Sequence, residues 1–150
     1  MIIVPMTTPS TAGAARLNRL GILRAQGEDA AKFLHSQLTQ DFALLGDAQA
    51  RLSGFCSAKG RLLATMIGWK NGPDEILLAL PAELLPAIQK RLSMFVLRAK
   101  CKISDASADW ALYGVATASD DAPAWSLTRD GEATKIRLPG VGLWLLAQPA

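Results

Sequence analysis

Apolar positions crowd the stretch from Leu17 to Ala25, with Leu17, Leu20, Ile22 and Leu23, and the run stops at Gly27, which predicts a strand. Glu28 and Asp29 then set two carboxylates where the positive end of a helix favours them. Ala30, Ala31, Phe33, Leu34 and Leu38 recur at helical spacing, so a helix is expected over about 28–38 with one buried face. Phe42, Leu44, Leu45 and Gly46 close the connection. Three strands are predicted next, over about 50–57, 61–70 and 75–80. Lys59-Gly60 supplies the first turn, because glycine tolerates backbone angles that other residues avoid. Asn71-Gly72-Pro73-Asp74 supplies the second.

Pro81 ends the third strand and introduces a second amphipathic helix over about 82–95, with Leu84, Leu85, Ile88, Leu92 and Phe95 on its apolar face. Proline has no N–H and clashes with the preceding turn, so Pro86 fits only near the helix start; the helix begins late or bends. A strand over about 100–106 completes the set. The order β-α-β-β-β-α-β with hairpins predicts an α+β fold, an antiparallel sheet with two helices packed on one side.

From Trp110 the texture changes to short strands, expected over about 110–118, 125–129, 134–138 and 142–147. They read as the start of a second β-rich unit. The expected organisation is therefore a flexible N-terminal arm over residues 1–16, an α+β domain over 17–106, and an incomplete β-rich unit over 107–150. Leu143-Trp144-Leu145-Leu146 lies against the end of the chain, so an unpaired strand is expected there, with residues missing beyond Ala150.

Half of the 150 residues are apolar and 19% are charged, the balance of a globular chain rather than a disordered one. A net charge of +3 gives little support to a nucleic-acid or membrane partner, and direct binding to either is not expected. Cys56, Cys101 and the single histidine, His35, form no metal-ligand pattern, and two separated cysteines read as reduced thiols of a cytoplasmic protein. No apolar run reaches a membrane span, and Met1-Ile2-Ile3-Val4-Pro5 has no basic segment before it, which argues against a signal peptide.

Three segments hold the candidate chemistry. In the first, the helix from Gly27 runs into Gln37, Thr39 and Asp41. These polar groups either satisfy backbone groups at a helix end or border a binding site. In the second, Phe55-Cys56-Ser57-Ala58-Lys59-Gly60-Arg61-Leu62-Leu63-Ala64 sets a thiol, a hydroxyl and two cations around a glycine turn. It is either a solvated basic hairpin tip or an anion contact through Lys59 and Arg61. Cys56 reads as a small hydrophobe, since His35 lies elsewhere in the pattern and there is no second histidine to activate it. In the third, Lys90, Arg91, Arg98, Lys100 and Lys102 follow one another with no acid between Glu83 and Asp105. A polyanion, an anionic cofactor tail and a solvated helix end are the open readings.

In this order and spacing the segments resemble the YgfZ-type folate-binding proteins, relatives of the glycine-cleavage T-protein. The family pattern is a G-x-D-A-x-x-F-L helix leading to Q-x-T-x-D, then a C-x-x-K-G-[RK] hairpin, then a helix ending in a [MYF]-V-L/F-R/S-x-K segment. The resemblance covers residues 17–105 well and 110–147 loosely. It implies a tetrahydrofolate-type ligand and a role in maturation or repair of iron–sulfur enzymes, with effects on tRNA modification that depends on them and iron–sulfur client proteins as partners. Gln37, Thr39 and Asp41 would border the folate channel, and Lys59, Arg61 and Arg98 would meet the ligand's carboxylates. The T-protein carries aspartates where this chain has Leu63 and Ala64, so aminomethyl transfer is not expected and no catalytic residue is assigned. The family's K-G-C-[YF]-x-G-Q-E segment does not occur in these residues. A folate-dependent aminomethyltransferase and a non-catalytic interaction domain stand as the alternatives.

Overall fold

A computed structural model describes residues 13–117, 122–140 and 142–150. They form two units, residues 19–107 and residues 13–18 with 108–150. The first twelve residues of the expected arm, and position 118 of the strand expected from Trp110, lie outside the described residues.

In the unit of residues 19–107, β2 (Leu20–Gln26) is followed by α1 (Ala30–Gln37). A three-strand meander comes next: β3 (Ala50–Cys56), β4 (Leu62–Gly72) and β5 (Glu75–Pro81). Then come α2 (Leu85–Phe95) and β6 (Lys102–Asp105). All pairs are antiparallel and the sheet order is β3-β4-β5-β2-β6. This is the α+β arrangement that the hydrophobic pattern predicts.

Period-two alternation in the strands decides where the helices lie. Leu23 and Ala25 of β2, Phe55 of β3, Ala64 and Met66 of β4, Ile76, Leu78 and Leu80 of β5 and Ile103 of β6 share one core. Ala30, Phe33 and Leu34 of α1 and Leu85, Ile88 and Leu92 of α2 fill the same core. Both helices therefore cover one sheet face, and full burial of one such large side chain is worth about 1.5–3 kcal/mol. Phe42, in the connection after α1, lies over Gly68: a Cβ at that glycine would meet the Phe42 ring at 2.6 Å and Leu78 at 2.8 Å. The strand has no side chain there because the ring takes its place. The opposite sheet face also carries buried apolar groups, among them Ile22, Trp69, Leu77 and Ala79.

Element boundaries follow local chemistry. Pro86 stands in the first turn of α2, and the helix starts late, at Leu85, as the missing N–H requires. Leu84 precedes the helix and is half-buried, while Leu85 takes the buried position. Phe95, expected on the apolar face, is 53% exposed, because the helix ends there and Val96 leaves helical geometry. Asp29 precedes α1 but does not cap it through its side chain; its Oδ2 accepts from Lys100 N at 2.8 Å, and Asp29 N donates to Lys100 O at 3.0 Å. The segment before β6 is thereby tied to the start of α1.

In the other unit, β1 (Gly13–Arg16), β7 (Trp110–Ala116), β8 (Leu127–Asp130), β9 (Ala133–Arg137) and β10 (Leu143–Pro149) form an antiparallel sheet ordered β1-β7-β10-β9-β8. Two expectations are corrected here. Residues 13–16 are not arm but a strand, because β7 offers them a free edge, with Gly13 opposite Ala116 and Arg16 opposite Tyr113. The Leu143–Leu146 strand is not unpaired. It lies between β7 and β9, with Leu145 opposite both Gly114 and Ile136, so its apolar residues are those of an interior strand.

Candidate functional site

Antiparallel pairing settles which end of the sheet each loop occupies. Leu20 pairs with Pro81, while Gln26 pairs with Glu75 and Lys102. Cys56 pairs with Leu62, at the end of the sheet where β5 finishes and β2 begins. The 57–61 turn is therefore at one end, and the approach to Lys102 is at the other. The seven residues of β5 set these ends about 20 Å apart at about 3.3 Å per residue.

The turn is closed by its own backbone. Gly60 N donates to Ser57 O at 2.9 Å and Ser57 N to Arg61 O at 2.8 Å, and Ser57 Oγ accepts from Arg61 N at 3.2 Å. Gly60 has φ +84°, the left-handed region that glycine enters without cost. Lys59 and Arg61 are exposed on this tip and have no acidic partner among the described residues.

The end of α1 reaches the same region. Leu38 forms a bridge with Phe55, and Thr39 exchanges two hydrogen bonds with Gly54: Thr39 N donates to Gly54 O at 3.0 Å and Thr39 Oγ1 accepts from Gly54 N at 2.8 Å. Gln37, half-buried, donates from Nε2 to Ser36 Oγ at 3.4 Å. Asp41 Oδ1 accepts from Leu44 N at 2.9 Å and lies 2.9 Å from His35 Nδ1. The Leu44 N–H is the main cause holding the Asp41 carboxyl below its ordinary range, with His35 adding to it.

Of the sequence-predicted residues, Lys59 and Arg61 thus stand on the turn after β3 and Thr39 is fixed to β3 at Gly54, with Gln37 and Asp41 two residues to either side of it in the chain. Arg98 is elsewhere. It stands two residues before Lys100, which is bound to Asp29 at the start of α1, at the opposite end.

Sequence reasoning did not single out Leu52, Gly54 and Leu62. They share the sheet face away from the helices, and Leu52 and Leu62 are 48% and 56% exposed. A Cβ at Gly54 would meet Leu62 Cδ1 at 2.8 Å and Thr39 Cγ2 at 3.6 Å, so Leu62 and Thr39 close over this buried glycine. The available signal was a glycine inside a strand pattern, which marks a close approach. Ala64 is 4% exposed within the helix-side core, and Leu63 packs against that core. Among the described residues there is no cluster of three or more metal-ligating side chains, and no helix is long and apolar enough to cross a membrane.

This fold recurs in solved enzymes. The aminomethyltransferase T of the glycine cleavage system from Bartonella henselae superposes with a TM-score of 0.78 over 93% of this chain and 42% of its own, at 17% identity. The heterotetrameric sarcosine oxidase of Corynebacterium superposes with a TM-score of 0.59 over 92% of this chain and 75% of that one, at 15% identity. Sequence comparison adds what fold alone does not show. A 50-residue stretch is 40% identical to the tRNA-modifying protein YgfZ of Hamiltonella defensa. The chain is thus similar to a YgfZ protein in part of its sequence and to the T-protein in fold. The iron–sulfur cluster assembly factor IBA57 homolog of Mycosarcoma maydis, a mitochondrial protein by its name, is 26% identical over 149 residues, 89% of this chain. An uncharacterized protein of Haemophilus influenzae is 28% identical over 99 residues. The chain spans 35%, 15% and 37% of the Haemophilus, Hamiltonella and Mycosarcoma proteins respectively. No protein-family model matches it.

Proposed function

We propose that this chain supplies one wall of a tetrahydrofolate-type binding site in an accessory protein for iron–sulfur enzyme maturation or repair, with tRNA modification affected downstream. The observation that supports the reading best is similarity to two accessory factors, YgfZ and the IBA57 homolog, in a chain with the T-protein fold. The β3 end of the sheet suits such a ligand. A folate joins a flat ring system to an anionic glutamate tail, and needs apolar surface, a few hydrogen-bond partners and nearby cations. Leu52 and Leu62 offer exposed apolar surface beside Gly54, and Lys59 and Arg61 offer unpaired cations on the adjoining turn. Thr39 adjoins this surface at Gly54, and in this reading Gln37 and Asp41, two residues to either side of it, are further polar groups for the ligand, Thr39 and Asp41 being already engaged within the fold.

An accessory role is favoured over aminomethyl transfer by the β4 core. Ala64 lies among Phe55 and Met66, where a carboxylate would be stripped of water without a partner. Asp41 is the one carboxylate among the sequence-predicted site residues, and its interactions with Leu44 N and His35 hold it as an anion in the α1 connection. Calorimetric titration of the full chain with 5-formyltetrahydrofolate tests the reading. Saturable binding that Leu62→Ser weakens is expected; heat no greater than dilution would overturn the reading and leave a non-catalytic interaction domain. Turnover of an aminomethyl donor with tetrahydrofolate would instead establish the enzyme.

A further inference from the structure

The strongest charge asymmetry in the chain is spatially apart from the proposed folate surface. Lys90 and Arg91 are exposed on α2, and Arg98 is exposed just beyond it. Apolar groups share this surface: Met94, Phe95 and Leu97 are 64%, 53% and 84% exposed. Met94 lies on the side of the helix away from Leu85, Ile88 and Leu92, which are buried in the core, and Phe95 is exposed where the helix ends. Ala87, Lys90, Arg91, Met94 and Phe95 recur at helical spacing and line one groove of about 370 Å³. The helix thus buries one apolar stripe in the fold and leaves Met94 and the terminal Phe95 exposed beside cations.

We infer that this outer face of α2 docks an acidic segment of a partner protein, an amphipathic helix that seats apolar side chains between Met94 and Phe95 and sets carboxylates against Lys90, Arg91 and Arg98. Charge selects the occupant. No acidic residue occurs between Glu83 and Asp105, so the groove is flanked by cations with no acid of their own segment beside them. A second copy presenting the same face would bring like charges together, which is repulsive. A bilayer is a poorer match: membrane-lying helices insert a broad apolar face, and here the broad face is turned into the core. Exposed apolar groups beside cations on one helix face complement an amphipathic helix whose apolar anchors are flanked by carboxylates.

The experiment uses backbone amide NMR of the full chain at low salt. Three probes are added in turn: a synthetic helical peptide with a leucine stripe flanked by glutamates, the same peptide with lysines in place of glutamates, and vesicles of phosphatidylglycerol and phosphatidylcholine. The glutamate peptide is expected to shift signals of residues 87–98, with affinity that falls as salt rises. Arg91→Glu and Phe95→Ser are each expected to weaken it at least several-fold without altering thermal unfolding, since both side chains are exposed. Folate titration of the same variants is expected to be unchanged, so failure here and failure of the folate reading are distinguishable. Equal binding of the lysine peptide, shifts with vesicles but not with the glutamate peptide, shifts placed elsewhere, or none at millimolar peptide would each overturn the inference. So would concentration-dependent self-association that buries the face.

Discussion

Thr39 and Gly54 hold each other by two hydrogen bonds, Thr39 N to Gly54 O and Gly54 N to Thr39 Oγ1, so the chain leaving α1 acts as a one-residue extension of the sheet beyond β3. A residue that sequence pattern offers as a ligand contact is thus also a strut. Thr39→Val keeps the shape and removes the acceptor. It is expected to cost about 1 kcal/mol, the usual net worth of such a bond, in urea unfolding. Unchanged stability with weakened folate binding would show that the hydroxyl serves the ligand alone.

Gly27 sets the corner between β2 and α1. Its φ is +138°, and a Cβ there would stand 2.0 Å from Lys100 O. Backbone cannot rotate away as a side-chain tip can. Gly27→Ala is expected to destabilise the fold by at least about 3 kcal/mol, from strain and clash together. Chemical denaturation giving a loss under about 1 kcal/mol would contradict this packing of α1 on the 96–101 segment.

The opposite placement of Lys59 and Arg98 separates two kinds of cation. Lys59→Ala and Arg61→Ala are each expected to weaken 5-formyltetrahydrofolate binding several-fold, as exposed charge contacts do. Arg98→Ala should leave it unchanged, and so should Cys56→Ser, since the thiol is given no contact role. Calorimetry on the four variants decides the matter. A loss confined to Arg98→Ala would place the anionic tail at the wrong end of the sheet for the proposed surface.

Asp41 sets an acid limb on stability. Its folded carboxyl titrates below the ordinary 3.8, chiefly through the Leu44 N–H and then through His35. A depressed acid stabilises the fold above its unfolded value, and that contribution disappears as pH falls from there through the lower folded value. Urea midpoints followed downward from about pH 5 are expected to fall more steeply for the native chain than for Asp41→Asn. Parallel curves would mean that the carboxylate makes no differential contact in the fold.

Cys101 shows the reverse behaviour. Burial first, and the nearby Asp29 second, push its thiol above the ordinary 9.0. Its alkylation by iodoacetamide at pH 8 should therefore be slow in the folded chain and faster in urea. Equal rates in both states, read by mass spectrometry, would refute that burial.

Local pattern was enough for the meander and both helices. The alternation of Leu23 and Ala25, or Ile76, Leu78 and Leu80, and the spacing of Phe33 with Leu34 and of Ile88 with Leu92, are near-neighbour facts that burial of one face imposes. Pro86 announced the late start of α2 because its chemistry is local too. Strand membership at residues 13–16 was not legible, since Gly-Ala-Ala-Arg becomes a strand only where β7 leaves an edge free. The interior position of β10 was likewise hidden: an apolar run says that a strand is covered, not which strands lie beside it.

The candidate site divides in the same way. The sequence by itself determined which groups exist, the basic turn at Lys59-Gly60-Arg61, the polar exit of α1 and the run of cations from Lys90, because residue type and spacing are local properties. Only the tertiary structure decided which of them meet. Strand direction and register send the turn to one end of the sheet and Arg98 to the other, bring Thr39 onto Gly54 and expose Leu62 beside it. These relations join residues far apart in the chain, and their distances depend on how the sheet is paired, which no single stretch encodes.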